Sequence, residues 1–351
     1  MFQNVNSANL NGTISLLDEY FGKDLISNIA IKIGKKDTVL GEIYRSKNGK
    51  ITETTLFDIA SVTKVMATTT LTLIAIEENH LSYNTLVSEV FPQTPEHFKC
   101  LKISHLLTHT IGLGYRNLQN PQYSYDNIHD YILNLKGNEI GVEVEYSCPA
   151  FILLGKIIEK IYDKRLDLLF DEKIAKPLKL NNTCYNPLKK GFNDFVNSNI
   201  SDNEIGMVND YNCRFLGGVA GNAGVFSCIK DITTFVKMLL NNGEALISKE
   251  ILNSAFKNYT PDMSESRGMG FLYSDTSYAQ TGMLFNENSF GHCGHTGQSV
   301  FFNIKNGLYV IVLSDITVST IKKYGKERYG EVMKFREEIH NAIKNDLVKE
   351  I

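Results

Sequence analysis

The chain has 351 residues and a formal net charge of −3, with 43% apolar and 21% charged residues. That length implies one large or two interleaved domains rather than one small core. The near-neutral balance leaves no basic footprint for nucleic acid or anionic membrane, and no apolar run is long enough to span a bilayer.

The opening stretch MFQNVNSANLNGTISLLDEYFG has no basic n-region and no continuous apolar run. It does not read as a secretory leader, so a cytoplasmic chain is expected unless a leader has been removed. Residues 11–21 predict a helix, with Asn11 or Thr13 near its start and Gly22 ending it. SNIAIKIGKK and TVLGEIYRSKNG then alternate apolar and polar residues, like two strands of a hairpin. A long apolar helix follows Ser61. Helical periodicity continues over 103–108, 127–135, 149–162, 166–175 and 229–241. Pro149 suits a first helical turn, where no N–H is needed. After Pro261 the segments GMGFLYSD, SFGHCGH, SVFFNIKNG and LYVIVLSDI are short and β-rich. Asn306-Gly307 between two of them marks a hairpin. A closing amphipathic helix is predicted over 328–348. The basic cluster Lys322, Lys323, Lys326 and Arg328 is interrupted by Glu327 and reads as a solvated face. Strands at both ends imply one α/β sheet domain, built from 1–60 and 262–351, with a mostly helical domain, 61–261, inserted.

Ser61 stands at the front of its helix and Lys64 follows three residues on. Residues three apart share a helix face, so Ser61 Oγ and Lys64 Nζ can meet. Taken alone, the pair is a weak signal and reads first as an N-cap and a surface lysine. The surroundings argue otherwise. Val65, Met66, Leu71, Leu73, Ile74 and Ile76 make the helix apolar over most of its surface, so it is expected to be buried. Burial disfavours an ammonium, and an amine in that setting can accept the serine proton. The helix N-terminus and the Ser61 N–H would then favour negative charge on an oxyanion.

Longer stretches carry a resemblance. LFDIASVTKVMATTTLTLIAIEENHLSYNTLVSEVFP resembles the nucleophile segment of the serine beta-lactamase-like family. That family includes class C beta-lactamases, penicillin-binding DD-carboxypeptidases and related esterases. ISHLLTHTIGLGY resembles its next segment, and VEYSCPAFILLGKIIEKI its Tyr-x-Asn motif and helix. LGGVAGNAGVFSCIKDITTFVKMLL resembles a glycine-rich turn and helix, and FGHCGHTGQSVFFNIKNGLYVIVLSD the third catalytic motif on its strand. The match runs in order over most of the chain. It implies a mixed α/β fold: an antiparallel sheet flanked by helices plus an all-helical domain, with the site between them. It further implies that Tyr146 relays protons between Ser61, Lys64 and the leaving group.

The third motif has two registers. His295-Thr296-Gly297 matches a His-Thr-Gly form letter for letter. The preceding Phe-Gly and the interval to the next strand instead favour His292-Cys293-Gly294, which would make His292 catalytic and let the His295 N–H join Ser61 in an oxyanion hole. Two departures stand out. Cys148 replaces the usual asparagine and, in this register, Cys293 the usual threonine. A thiol is a poor substitute for an amide that both donates and accepts, so weak beta-lactam turnover is expected. Cys148, Cys293 and Gly294 would line the substrate site, with both thiols flanking Ser61 and either open to activation by a nearby lysine and helix terminus or, the favoured reading, buried and inert.

The remaining features read more simply. Cys100, Cys148, Cys184, Cys213, Cys228 and Cys293 form no CxxC pair or zinc spacing and read as free thiols. His105 and His109 have metal-ligand spacing but no evident third ligand. Gly217 to Gly224 lack the phosphate-loop pattern and read as a tight turn. Asp210 and Asn212 could line the pocket, but read first as a solvated loop. The expected activity is hydrolysis of an amide or ester in a small molecule or peptide through an acyl-enzyme, without metal or organic cofactor. The alternative is a binding protein that keeps the pocket without turnover.

Overall fold

The structure is a computed structural model and describes residues 3–7, 9–244, 246–276, 278–326 and 329–347. Among the described residues there are ten strands: β1 (Gln3–Ser7), β2 (Asn28–Lys35), β3 (Thr38–Ser46), β4 (Phe57–Asp58), β5 (Cys184–Tyr185), β6 (Val225–Ser227), β7 (Leu272–Tyr273), β8 (Ser289–Cys293), β9 (Ser299–Asn303) and β10 (Leu308–Ser314). Seven form an antiparallel sheet in the order β1-β3-β2-β10-β9-β8-β7. Strands from both ends of the chain therefore meet at the β2–β10 pair, where Val310 faces Ile33 and Val312 faces Ile31.

β10 is buried along its whole length because both sheet faces are covered. Side chains alternate across a strand, and here they sort into two cores. Tyr309, Ile311 and Leu313 join the larger core, with the helical block. Leu308, Val310 and Val312 join the smaller one, with Leu17 and Tyr20 of the helix Asn11–Gly22 and Phe335, Ile339 and Ile343 of the helix Gly330–Asp346. The terminal helices thus cover one face and the helical block the other.

Helices also fall where apolar periodicity is strongest, at Ile103–Leu107, Ile128–Leu133, Cys148–Tyr162, Leu166–Phe170 and Ile229–Leu240, while the short helices Val87–Val90, Tyr211–Phe215 and Lys249–Ala255 lie outside those stretches. The closing helix was expected over 328–348, and its two outermost positions lie outside the described residues. Three features differ from expectation. The block 61–261 is not wholly helical, since β5 and β6 pair with β4 in a small three-stranded sheet. Ile316–Tyr324 is a helix that the β-rich reading of the preceding stretch passed over. The long helix after Ser61 opens as a π-helical segment, Lys64–Thr69, before Thr70–Glu77 becomes α-helical. The threonine run accounts for the irregular turn. Thr70 Oγ1 donates to the Val65 carbonyl five residues back, at 2.9 Å, and Thr68 Oγ1 donates out of the helix to the Gly221 carbonyl at 2.7 Å.

Candidate active site

The chain reaches Ser61 through a pinned turn. Ala60 takes a left-handed backbone, φ 45°. The Asp58 carboxylate accepts the N–H of Ala60 at 2.8 Å and that of Asn209 at 2.7 Å. Full burial pushes that carboxyl up to about 6, against the pull of these two N–H groups. The Val62, Thr63 and Lys64 amides then close the first helical turn onto the carbonyls of Ile59, Ala60 and Ser61.

Ser61 Oγ does not cap this helix. It accepts hydrogen bonds from Lys64 Nζ at 2.9 Å and from the Tyr146 hydroxyl at 2.7 Å. Lys64 is fully buried and has no carboxylate within ion-pair distance among the described residues. Its Nζ is held by the Asn222 carbonyl at 3.0 Å and touches Cys148 Sγ at 3.8 Å. The glycine turn makes the first of these contacts possible. A Cβ on Gly221 would stand 2.0 Å from the Phe151 carbonyl, so only glycine lets the turn approach the helix Cys148–Tyr162 closely enough. Cys148 opens that helix, whose N-cap Ser147 accepts the Ala150 N–H at 3.2 Å.

Tyr146 lies just ahead of this cap. It is half-buried and lines the cleft. Burial, followed by the neighbouring Cys148, pushes the phenol well above its ordinary range; the Ser61 hydrogen bond and Arg267 pull the other way. The resting group is therefore a phenol that donates to Ser61. His109 packs on its ring, with centroids 4.7 Å apart, and His292 lies at 6.0 Å. His109 Nδ1 accepts the Ser147 N–H at 2.9 Å. Burial, then the Arg267 and Lys64 charges, hold His109 neutral.

β8 delivers the third motif. His292 shares the Phe290 face and points toward the helical block, whereas Cys293 points toward the smaller core. Burial, then Lys64 and Arg267, hold His292 well below its ordinary value. A neutral ring bonded at Nδ1 to the Cys293 carbonyl, 2.7 Å away, is the Nδ1–H tautomer. Its Nε2 is buried without a partner. The alternative motif, 295–297, lies past the strand end in the β8–β9 turn. Thr296 there is buried and donates to the Asp58 carbonyl at 2.8 Å. A Cβ on Gly294 would stand 2.7 Å from the Ile59 carbonyl, so this turn lies directly on the chain entering Ser61. Among the described residues, neither the Ser61 nor the His295 N–H donates to a protein acceptor.

A cavity of about 440 Å³ opens at this point. Ser61, Tyr146, Cys148, Cys293, Gly294 and His295 all line it, with Tyr115, Tyr211 and Tyr278 on its walls.

A family model described as Beta-lactamase matches residues 21–332. The chain belongs to the beta-lactamase family. A relative from Escherichia coli O157:H7, provisionally named a D-alanyl-D-alanine carboxypeptidase, is 27% identical over 317 residues, covering 78% of this chain and 72% of that one. The octameric penicillin-binding protein homologue of Pyrococcus abyssi superposes with a TM-score of 0.72 at 19% identity, covering 89% of this chain and 76% of that one. The D-amino acid amidase of Ochrobactrum anthropi superposes with a TM-score of 0.69 at 18% identity, covering 96% and 99%. This beta-lactamase-family hydrolase therefore carries the antiparallel sheet and helices that its motif order implied.

The geometry corrects several residue-level expectations. His292 bonds to none of Ser61, Lys64 and Tyr146, and it does not line the cavity. Burial pushes both Cys148 and Cys293 up rather than down, with Lys64 only partly offsetting this at Cys148, so neither thiol is activated. Cys293 Sγ is occupied with the Ala279 carbonyl at 3.3 Å. Asp210 and Asn212 are not a solvated loop. Asp210 caps the helix Tyr211–Phe215 through the Cys213 N–H and lines the cavity, and Asn212 is buried and ties down Leu118 and Arg116. His105 and His109 each spend Nδ1 on a backbone N–H, of Lys102 and Ser147. Sequence reasoning missed the Asn222 carbonyl, Arg267, Tyr278 and Arg336. Only Asn222, inside the glycine turn, lay within a stretch already singled out.

Proposed function

We propose that the chain is a serine hydrolase that works through an acyl-enzyme on Ser61. The observation that carries this reading is the pair of donors converging on Ser61 Oγ inside the cavity, Lys64 Nζ at 2.9 Å and Tyr146 OH at 2.7 Å. Oγ attacks a substrate carbonyl and its proton passes to the uncharged form of Lys64. The Ser61 and His295 N–H groups take the oxyanion. Tyr146 gives its proton to the leaving amine or alkoxide and regains one from Lys64, so the charge balances when the leaving group departs. Water then enters by the reverse relay and frees the acid.

The favoured substrates are D-amino-acyl peptides and small esters, with beta-lactams as slower acylators. The carboxypeptidase name of the Escherichia coli relative and the amidase neighbour support the D-amino-acyl class. Cys148 beside Lys64 supports slow beta-lactam turnover, because a thiol holds a substrate amide weakly.

Intact-mass spectrometry after treatment with a p-nitrophenyl ester tests the reading. A single acyl adduct should map to the Ser61 peptide and disappear in Ser61→Ala. An adduct elsewhere, or the absence of any burst, would leave a binding protein of the same fold.

A further inference from the structure

The helix Gly330–Asp346 brings one charged side chain, Arg336, to the wall of the active-site cavity beside Gly294 and His295. Arg336 is only 3% exposed, and among the described residues no carboxylate lies within ion-pair distance of it. A guanidinium carries five donors and cannot shed its charge, so burial without an anion is costly. Its hydrogen bonds run to neutral oxygens. One amino group donates to the Gly294 carbonyl, the other to Gln280 Oε1 at 3.1 Å, and Nε has no partner.

The Gly294 carbonyl belongs to the same peptide unit as the His295 N–H. The chain has no cis peptide among its described residues, so the two point in opposite directions. A cation on the carbonyl oxygen does two things to such a unit. It fixes the rotation of the peptide plane, and it draws electron density toward the oxygen, which makes the N–H a stronger donor. The Gly297 N–H donates to the same carbonyl at 3.1 Å and adds to both effects. The neighbouring contacts leave the plane little freedom: Gly294 abuts the Ile59 carbonyl, and Thr296 is tied to Asp58.

We propose that Arg336 is a positioning residue for the oxyanion site: through the Gly294 carbonyl it orients and polarises the His295 N–H. The proposal rests on the reading of Ser61 as nucleophile and of the His295 N–H as its oxyanion donor. It explains why a buried cation is held by a backbone carbonyl rather than a carboxylate. A carboxylate would neutralise the guanidinium and weaken its pull on the peptide.

The test compares wild type with Arg336→Met and Arg336→Lys, each checked for folding by circular dichroism. Three quantities are read: the burst rate with a p-nitrophenyl ester, the KM for that ester, and the inhibition constant of phenylboronic acid, whose serine adduct is tetrahedral and anionic. Loss of one oxyanion donor costs roughly a hundredfold or more, so weakening one donor should cost about tenfold. The expected result for Arg336→Met is that fall in burst rate, a matching loss of boronate affinity, and an unchanged KM, with Arg336→Lys in between. Burst rate and boronate affinity unchanged in Arg336→Met would overturn the proposal. So would an equal weakening of boronate affinity and KM, which marks a plain binding contact. If Arg336→Met does not fold, Arg336→Gln carries the same comparison, since its amide is neutral. A wild-type protein that shows no adduct on Ser61 would defeat the mechanism itself, which separates the two failures.

Discussion

Replacing Lys64 by methionine should separate catalysis from stability. Methionine is unbranched and flexible, so it can follow the lysine stem through the same buried path. Two structural terms oppose each other. The Asn222 carbonyl loses the Nζ donor at 3.0 Å, which costs about 1–3 kcal/mol for a buried acceptor left bare. Against that, the change removes an amine from a fully buried site with no carboxylate, where hosting an ion costs several kcal/mol. The unfolding midpoint should therefore hold or rise. Acylation should not. Loss of a general base costs about 10²–10⁴ in rate, roughly 3–5 kcal/mol of barrier. Stopped-flow bursts with a p-nitrophenyl ester, beside thermal melts of the same samples, read both effects. Lys64→Arg sharpens the comparison, because a guanidinium keeps its proton and should be as slow as methionine. An undiminished burst in Lys64→Met would show that Ser61 loses its proton elsewhere. A burst that falls only in step with the melting point would make Lys64 a packing residue.

Two further outcomes follow from the cysteines. Cys148→Asn should speed cephalosporin turnover several-fold relative to the ester, because an amide can both donate and accept beside Lys64; steady-state hydrolysis of a chromogenic cephalosporin measures it, and unchanged turnover would show the thiol to be harmless. Iodoacetamide at pH 7 should label the exposed Cys100 first and leave ester hydrolysis intact, since burial raises the other five thiols above their ordinary value. Labelling of those five should grow as pH rises toward the raised values, about 12 for Cys184 and Cys228; peptide mapping across a pH series checks the order, and prompt inactivation at pH 7 with Cys148 labelled would contradict it.

The parts of the site that were legible in the sequence are those set by local geometry. Ser61 and Lys64 needed only three-residue spacing and an apolar helix around them. Tyr146 was reached only through the resemblance and the order of its motifs, since a lone tyrosine ahead of a capped helix reads as packing. β8, β9 and β10 were legible from β-rich runs and the Asn306-Gly307 turn. What the sequence hid depends on atoms without residue identity or on distant packing. The carbonyl that holds Lys64 belongs to Asn222, but any residue has a carbonyl; only the fold brings that one to Nζ. Arg336 sits in a charged amphipathic helix, where sequence alone makes it one more surface cation. β5 and β6 are two and three residues long, too short for any alternation to register. His292 was correctly placed at the strand end, but strand alternation turns its ring toward the helical block instead of into the cavity.

The chain is slightly acidic as a whole, yet the ground beneath Ser61 is built the other way. Lys64 and Arg336 are both buried and both held by backbone carbonyls, of Asn222 and Gly294. Arg267 is buried too; its partner Glu265 stands on the more exposed side, one guanidinium nitrogen has no partner, and Cζ lies 5.9 Å from the Tyr146 ring centre. A carbonyl dipole holds the Arg336 guanidinium in place without cancelling its charge, so its field, with that of Arg267, still reaches the cavity, and Lys64 adds to it once it has taken the serine proton. Burial first, and these charges second, keep His109 and His292 neutral, so neither ring adds a charge of its own. A site with this balance does little for a neutral ground-state carbonyl. It favours the moment when the carbonyl oxygen becomes an anion, and that preference for the later state is what an acyl-transfer catalyst requires.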